Sequence, residues 1–301
     1  MSLIVAICFC LLFVPGTGAV SSASGAGAVV VSGGGRLAMG AALEPGQTIH
    51  NTGALPVFVL FSTGRLERVE PGKVLEVPGK AGAGDCFFGP VKEALAGFHS
   101  MCGQLEKVLA EKYPESVPPD TVEGALVYPI GAALVEVPDA FKWNLGDNGT
   151  TRVRFELTGE QEEKPILERN VQGGKLERSL FESLLQPGTR YHWQVADSGG
   201  TFATWFSLLA DDRLKALSEN LAALDRLEGL DPDSANCRGW LILKVAVLCR
   251  EKLYYEARAQ VRARLSQATA RGCREDYGTG PEGLLRQVRR LQRYGHLLQK
   301  R

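Results

Sequence analysis

The apolar residues of this chain change period once, and that change limits the folds open to it. Between Gly27 and Leu209 most of them come in short runs or alternate with polar residues, and Gly or Pro closes nearly every run. From Asp211 they recur every three or four residues. Period two belongs to strands and period 3.6 to helices, so the expected fold is multidomain and mainly β, with an α-helical C-terminal region. The 301 residues carry 34 basic and 34 acidic side chains. That balance argues against a general electrostatic grip on nucleic acid, and no nucleic-acid partner is expected.

Residues 1–23 read as a signal peptide. Met1 to Val14 is almost wholly apolar, breaks at Pro15-Gly16 and runs into small residues that offer Thr17/Ala19 or Ser21/Ala23 as cleavage positions. The apolar run is too short to span a bilayer. The expected location is periplasmic or secreted; the alternative is an inner-membrane protein anchored by an uncleaved N-terminus. Cleavage leaves Cys86, Cys102, Cys237, Cys249 and Cys273, and Cys86 with Cys102 is the pair expected to close a short disulfide loop in an oxidising compartment. Cys86, His99 and Cys102 also read as three metal ligands. They lack a close fourth, and no C-x-x-C or H-E-x-x-H occurs, so no metal is expected.

Residues 27–121 form the first expected unit. Val29 to Val31, Val57 to Phe61, Leu66 to Val69 and Val74 to Val77 are short β-rich runs bounded by Gly and Pro turns. Neither Gly33-Gly34-Gly35 nor the Gly79 to Gly84 stretch has the ending or spacing of a phosphate loop, so no nucleotide or other cofactor is expected. Leu43-Glu44-Pro45-Gly46-Gln47-Thr48-Ile49, then Leu55 to Phe61, Gly64 and Val69-Glu70-Pro71-Gly72-Lys73-Val74-Leu75 resembles the FecR-type periplasmic domain. Gln47 stands where that family usually has Asp. The resemblance implies a non-enzymatic envelope domain. After it, Val91, Ala94, Leu95, Phe98, Met101, Cys102, Leu105, Val108 and Leu109 predict a helical segment at about 90–113, single or broken near Gly97 or Gly103. Tyr113 to Asp120 reads as a linker, which places the boundary near Val122.

Residues 122–209 form the second expected unit. Phe141, Trp143 and Leu145 share one strand face, as do Val153, Phe155 and Leu157, and Gly146-Asp147-Asn148-Gly149 between them predicts a hairpin. Tyr191, Trp193 and Val195 point inward on a later strand and His192 outward. The order "Phe-x-Trp", then Leu185-Gln186-Pro187-Gly188-Thr189-Arg190-Tyr191-His192-Trp193-Gln194-Val195, then Phe202 to Phe206, resembles an immunoglobulin-like or fibronectin type III-like sandwich. That resemblance makes Trp143 and Trp193 core residues. Trp205 faces outward or toward the next unit and is the first aromatic to examine for contact. Asn148-Gly149-Thr150 fits a glycosylation sequon that matters only in a eukaryotic secretory pathway.

Residues 211–301 are expected to be helical. Leu214, Leu217, Leu221, Leu224 and Leu227 mark one amphipathic helix. A Trp240-bearing helix followed by Tyr254-Tyr255-Glu256-Ala257 resembles one degenerate tetratricopeptide unit, read mainly as a helical hairpin packed on the sandwich and, as the alternative, as an independent peptide groove. The last stretch sets Arg271, Arg274, Arg286, Arg289, Arg290, Arg293, Lys300 and Arg301 against Glu275, Asp276 and Glu282. Arg286, Arg289, Arg290 and Arg293 above an apolar face form a candidate contact surface, solvated or touching an acidic partner or, weakly, anionic lipid.

The four histidines, His50, His99, His192 and His296, lie in four separate segments outside any catalytic signature. The expected function is therefore an exported, non-enzymatic interaction or scaffold protein of the bacterial cell envelope, contacting protein or polymer. The alternatives are a FecR-type signalling component and, less favoured, a metal-dependent enzyme.

Overall fold

The computed structural model describes residues 27–32, 37–78, 85–112, 126–145, 152–231, 236–271 and 281–294. Of these about 42% are helical and 30% strand, so the chain is mixed rather than mainly β. The expected signal peptide, the expected linker before Val122, the expected turn at 146–149, the sequon and Cys273 lie outside the described residues.

In the first unit, strands β1 (Ala28–Ser32), β2 (Ala42–Leu43), β4 (Val57–Phe61) and β5 (Leu66–Val69) form an antiparallel sheet in the order β2-β1-β4-β5. Strands β3 (Thr48–His50) and β6 (Val74–Glu76) pair as a separate ribbon. The Pro45-Gly46 and Pro71-Gly72 turns close through Gln47 N–H to Glu44 O and Lys73 N–H to Glu70 O, each 3.0 Å. Gly46 and Gly72 have φ of 80° and 74°, the left-handed value that a type II turn demands after Pro. Ala28, Val30, Val57, Val59 and Phe61 pack with Ile49, Val69 and Val77 on one face of the sheet, while Val29, Val31, Phe58 and Leu60 pack on the other. Burial on both faces is why Val57 to Phe61 reads as an unbroken apolar run.

The second face is covered by helices. The described helices are α1 (Asp85–Lys112), α2 (Asp211–Leu230), α3 (Cys237–Arg250), α4 (Tyr254–Arg271) and α5 (Pro281–Tyr294), and all five contribute to the core that this face joins. α1 is continuous through Gly97 and Gly103 and buries Val91, Ala94, Leu95, Phe98, Leu105 and Leu109. Every residue of α3 from Gly239 to Cys249 is buried, as befits a helix apolar around its circumference. Gly239 is where the sheet meets it: a Cβ there would stand 2.6 Å from Leu66 Cδ2 and 3.0 Å from Phe58 Cδ1. The C-terminal helices are thus not a hairpin resting on the sandwich. They share one core with α1 and the first sheet, and touch the sandwich at Ala132, Ala133 and Leu209. Lys244, 8% exposed on α3, sits 2.5 Å from Asp225 and 2.5 Å from Glu228, and Glu228 also receives Arg264. Burial pushes the Lys244 ammonium down, but the two carboxylates outweigh it and raise its pKa.

The second unit has two sheets. β10 (Arg152–Gly159), β11 (Leu167–Gln172), β13 (Arg190–Asp197), β14 (Gly200–Leu208) and β8 (Ala132–Leu134) run in the order β11-β10-β13-β14-β8, with β8 parallel to β14. β12 (Lys175–Glu177), β9 (Ala140–Trp143) and β7 (Leu126–Tyr128) run β12-β9-β7. The hairpin expected between the strands of Phe141 and Phe155 is not formed: β9 and β10 lie in different sheets and present those side chains to each other across the core. Facing apolar surfaces satisfy the same alternation that adjacent strands would. Phe141 is central, its ring centroid 4.6 Å from Phe181, 5.0 Å from Phe155, 5.1 Å from Trp193 and 5.5 Å from Phe206. Trp143 and Trp193 are buried, and Trp193 Nε1 donates to Pro129 O at 2.8 Å. Tyr191 Oη accepts from Gln186 N–H at 2.7 Å.

Candidate functional site

The cysteine pairing expected from spacing does not occur. Cys102 is a free thiol on the same continuous helix as Cys86, and their sixteen-residue separation corresponds to about 24 Å of helix rise, far beyond disulfide reach. Burial, then the charge of Glu106, pushes the Cys102 thiol up to about 12, so it is protonated and inert at neutral pH. Among the described residues no group of three or more His, Cys, Asp or Glu is placed to hold a metal ion.

The basic C-terminal helix is docked. Leu284, Leu285, Val288 and Leu291 of α5 are buried in the helical core, so its apolar face is not available for insertion into lipid. Arg290 is tied to Glu106 of α1 at 2.8 Å. Arg286 is exposed, and Arg289 and Arg293 are half-buried. Burial, followed by the like charges of Arg262 and Arg289, pushes the pKa of the Arg258 guanidinium down, and Arg258 donates to Gln292 of α5 at 2.8 Å.

Trp205 occupies a more organised place. It lies on β14, directly across from His192 of β13, where the sandwich meets the turn between α3 and α4. The Arg190 guanidinium carbon stands 4.4 Å from its ring centroid and the Lys252 ammonium nitrogen 5.4 Å. Arg190 reaches the ring because residues 190, 192 and 194 share the outward face of β13 while Tyr191, Trp193 and Val195 are buried. Lys252 reaches it because the chain leaving α3 turns sharply. Leu253 N–H bonds to Leu248 O and Lys252 N–H to Cys249 O, both 3.0 Å, and Lys252 has φ of 60°. This is a Schellman ending whose left-handed position, ordinarily Gly, is held by Lys.

Backbone bonds lock the two sides together. Ala133 N–H bonds to Lys252 O at 3.0 Å and Gly131 N–H to Trp205 O at 2.8 Å. Nearby, Ile130 N–H donates to Tyr255 Oη at 2.9 Å. Around the indole, Arg190 pairs with Glu160 at 3.3 Å and Arg213 pairs with Glu251. Lys252 has no ion pair among the described residues. Burial first, then Arg190 and Arg213, lowers its pKa, with Glu160 opposing. The Trp205 N–H is buried and has no acceptor among the described residues.

The sequence singled out Trp205 but not Arg190 or Lys252. Alternation alone puts Arg190 on the outer face of β13. Nothing in the sequence marks Lys252, because Lys in a loop is ordinary and its left-handed backbone shows only in the fold. No family model matches the chain, and no curated protein matches it.

Proposed function

We propose that the chain is an exported, non-enzymatic interaction protein of the bacterial cell envelope, and that its contact face is the seam where the sandwich meets the α3–α4 turn. The observation that carries this reading is Trp205, held between Arg190 and Lys252 on a surface built by two separate regions. Aromatic and arginine side chains at such a place are what binding surfaces concentrate.

Two resemblances support the reading. The sheet orders β12-β9-β7 and β11-β10-β13-β14-β8, with Tyr191 anchored to the chain five residues upstream, support the immunoglobulin-like reading, in which such a tyrosine forms a corner. The Pro-Gly turns and β3–β6 ribbon fit the FecR-like reading of the first unit. The α3–α4 hairpin is tetratricopeptide-like in layout, but α3 is consumed by packing, so it serves as scaffold and not as a peptide groove. Export rests on residues 1–23.

A photo-crosslinking residue at Ala203, exposed beside Trp205 on the outer face of β14, tests this in cells of the source. The expected result is one defined envelope adduct at 203, absent when the crosslinker replaces exposed Leu180. Identical or no adducts at the two positions would overturn it.

A further inference from the structure

Three cations, Arg190, Arg213 and Lys252, converge at the seam, while the two nearby carboxylates, Glu160 and Glu251, are each given to an arginine. Lys252 is the cation left over, half-buried beside two like charges. Its position is conformationally costly. The turn needs a left-handed residue, Gly adopts that conformation without penalty, and a Cβ-bearing Lys does not. What Lys adds there is an ammonium held over an indole. A strained backbone that delivers an ammonium with no ion pair among the described residues is the arrangement of a site awaiting its ligand.

We infer that the seam binds a carboxylate of a polypeptide partner, received by Lys252 Nζ and the N–H donors of Arg190 that Glu160 does not take, with Trp205 as the positioning residue that holds both cations in place. The inference rests on the contact face proposed above and adds the chemistry of what it contacts. A carboxylate suits the site because its two oxygens match a guanidinium fork, and Arg190 spends one terminal nitrogen on Glu160. The carboxylate has two sources in a polypeptide, an acidic side chain or the chain's own C-terminus.

Isothermal calorimetry at low salt separates these sources, using the full mature chain and three probes: capped hexaglutamate, hexaglutamine with a free C-terminus, and inorganic phosphate. Binding of either peptide above phosphate is expected, the stronger one naming the source. Lys252→Gly should weaken it by about tenfold or more, the loss of one charge-assisted bond, while raising the melting temperature because Gly relieves the turn. Lys252→Arg should retain binding, Trp205→Leu should weaken it, and Lys142→Ala, on the opposite sheet, should leave it unchanged. If Lys252→Gly binds as well as the parent, if phosphate binds more tightly than both peptides, or if no probe binds, the inference is overturned. Should the Ala203 adduct persist in that event, the contact face stands and only its carboxylate chemistry falls.

Discussion

The first sheet and the sandwich are both small antiparallel β-structures, yet they are stabilised in different ways. The sandwich closes on itself: Phe141, Phe155, Trp193 and Phe206 fill a core supplied almost wholly by its own two sheets. The first sheet buries one face under the β3–β6 ribbon and leaves the other to α1 and α3, helices that include one about 180 residues downstream. Alternating strands therefore mark a unit that supplies its own core, while unbroken apolar strands mark one that borrows it from elsewhere. The seam exists because the borrowed helices must turn back over the sandwich at Lys252.

The largest effect that separates the two regions is deletion of residues 211–301. The first sheet should lose its cooperative unfolding transition, its face of Val29, Val31, Phe58 and Leu60 being uncovered, while the sandwich stays protease-resistant. A folded first unit in the truncated chain would break the comparison. Next, Phe141→Ala should destabilise the sandwich by about 3–5 kcal/mol, the usual cost of emptying a large aromatic site, and denaturant unfolding should show the first unit's transition unmoved. Gly239→Ala should cost the shared core about 1–3 kcal/mol by overpacking, since its Cβ would meet Leu66 at 2.6 Å, and should leave the sandwich unchanged.

The smallest effect lies at the junction. Burial first, then Glu136, raises the pKa of Glu256, and its Oε2 is buried with no partner among the described residues. The folded state therefore holds more protons than the unfolded one between the ordinary carboxylate value and the raised one, and stability falls as pH rises through that window. Glu256→Gln should raise stability at pH 7 by about 1 kcal/mol, and the gain should vanish below about pH 4, where both states are protonated. A gain that persists at low pH would contradict the electrostatic cause.

The sequence discloses surfaces better than partners. The inward sets Phe141/Trp143, Val153/Phe155/Leu157 and Tyr191/Trp193/Val195 are visible in alternation because one face of each strand is wet. The Pro-Gly turns are visible because Gly alone adopts their backbone freely. Which strand lies beside which is not visible: Phe141 and Phe155 alternate identically whether paired or facing. Nor is the destination of α3 visible, since a helix apolar on all sides looks the same whatever surrounds it. The expected Cys86–Cys102 loop failed because spacing carries no information about whether the intervening chain is helix. At the seam, Trp205 could be singled out and Arg190 placed by parity, but Lys252 became legible only through its backbone.

Hydrogen exchange in Leu243→Ala tests the shared core most directly, because Leu243 is fully buried in the middle of α3 and its truncation should cost about 2–5 kcal/mol. Faster exchange is expected throughout β1 and β4, in step with α1 and α3, with unchanged protection in β10 and β13. Unchanged β1 and β4, or an equal rise in β10 and β13, would contradict it.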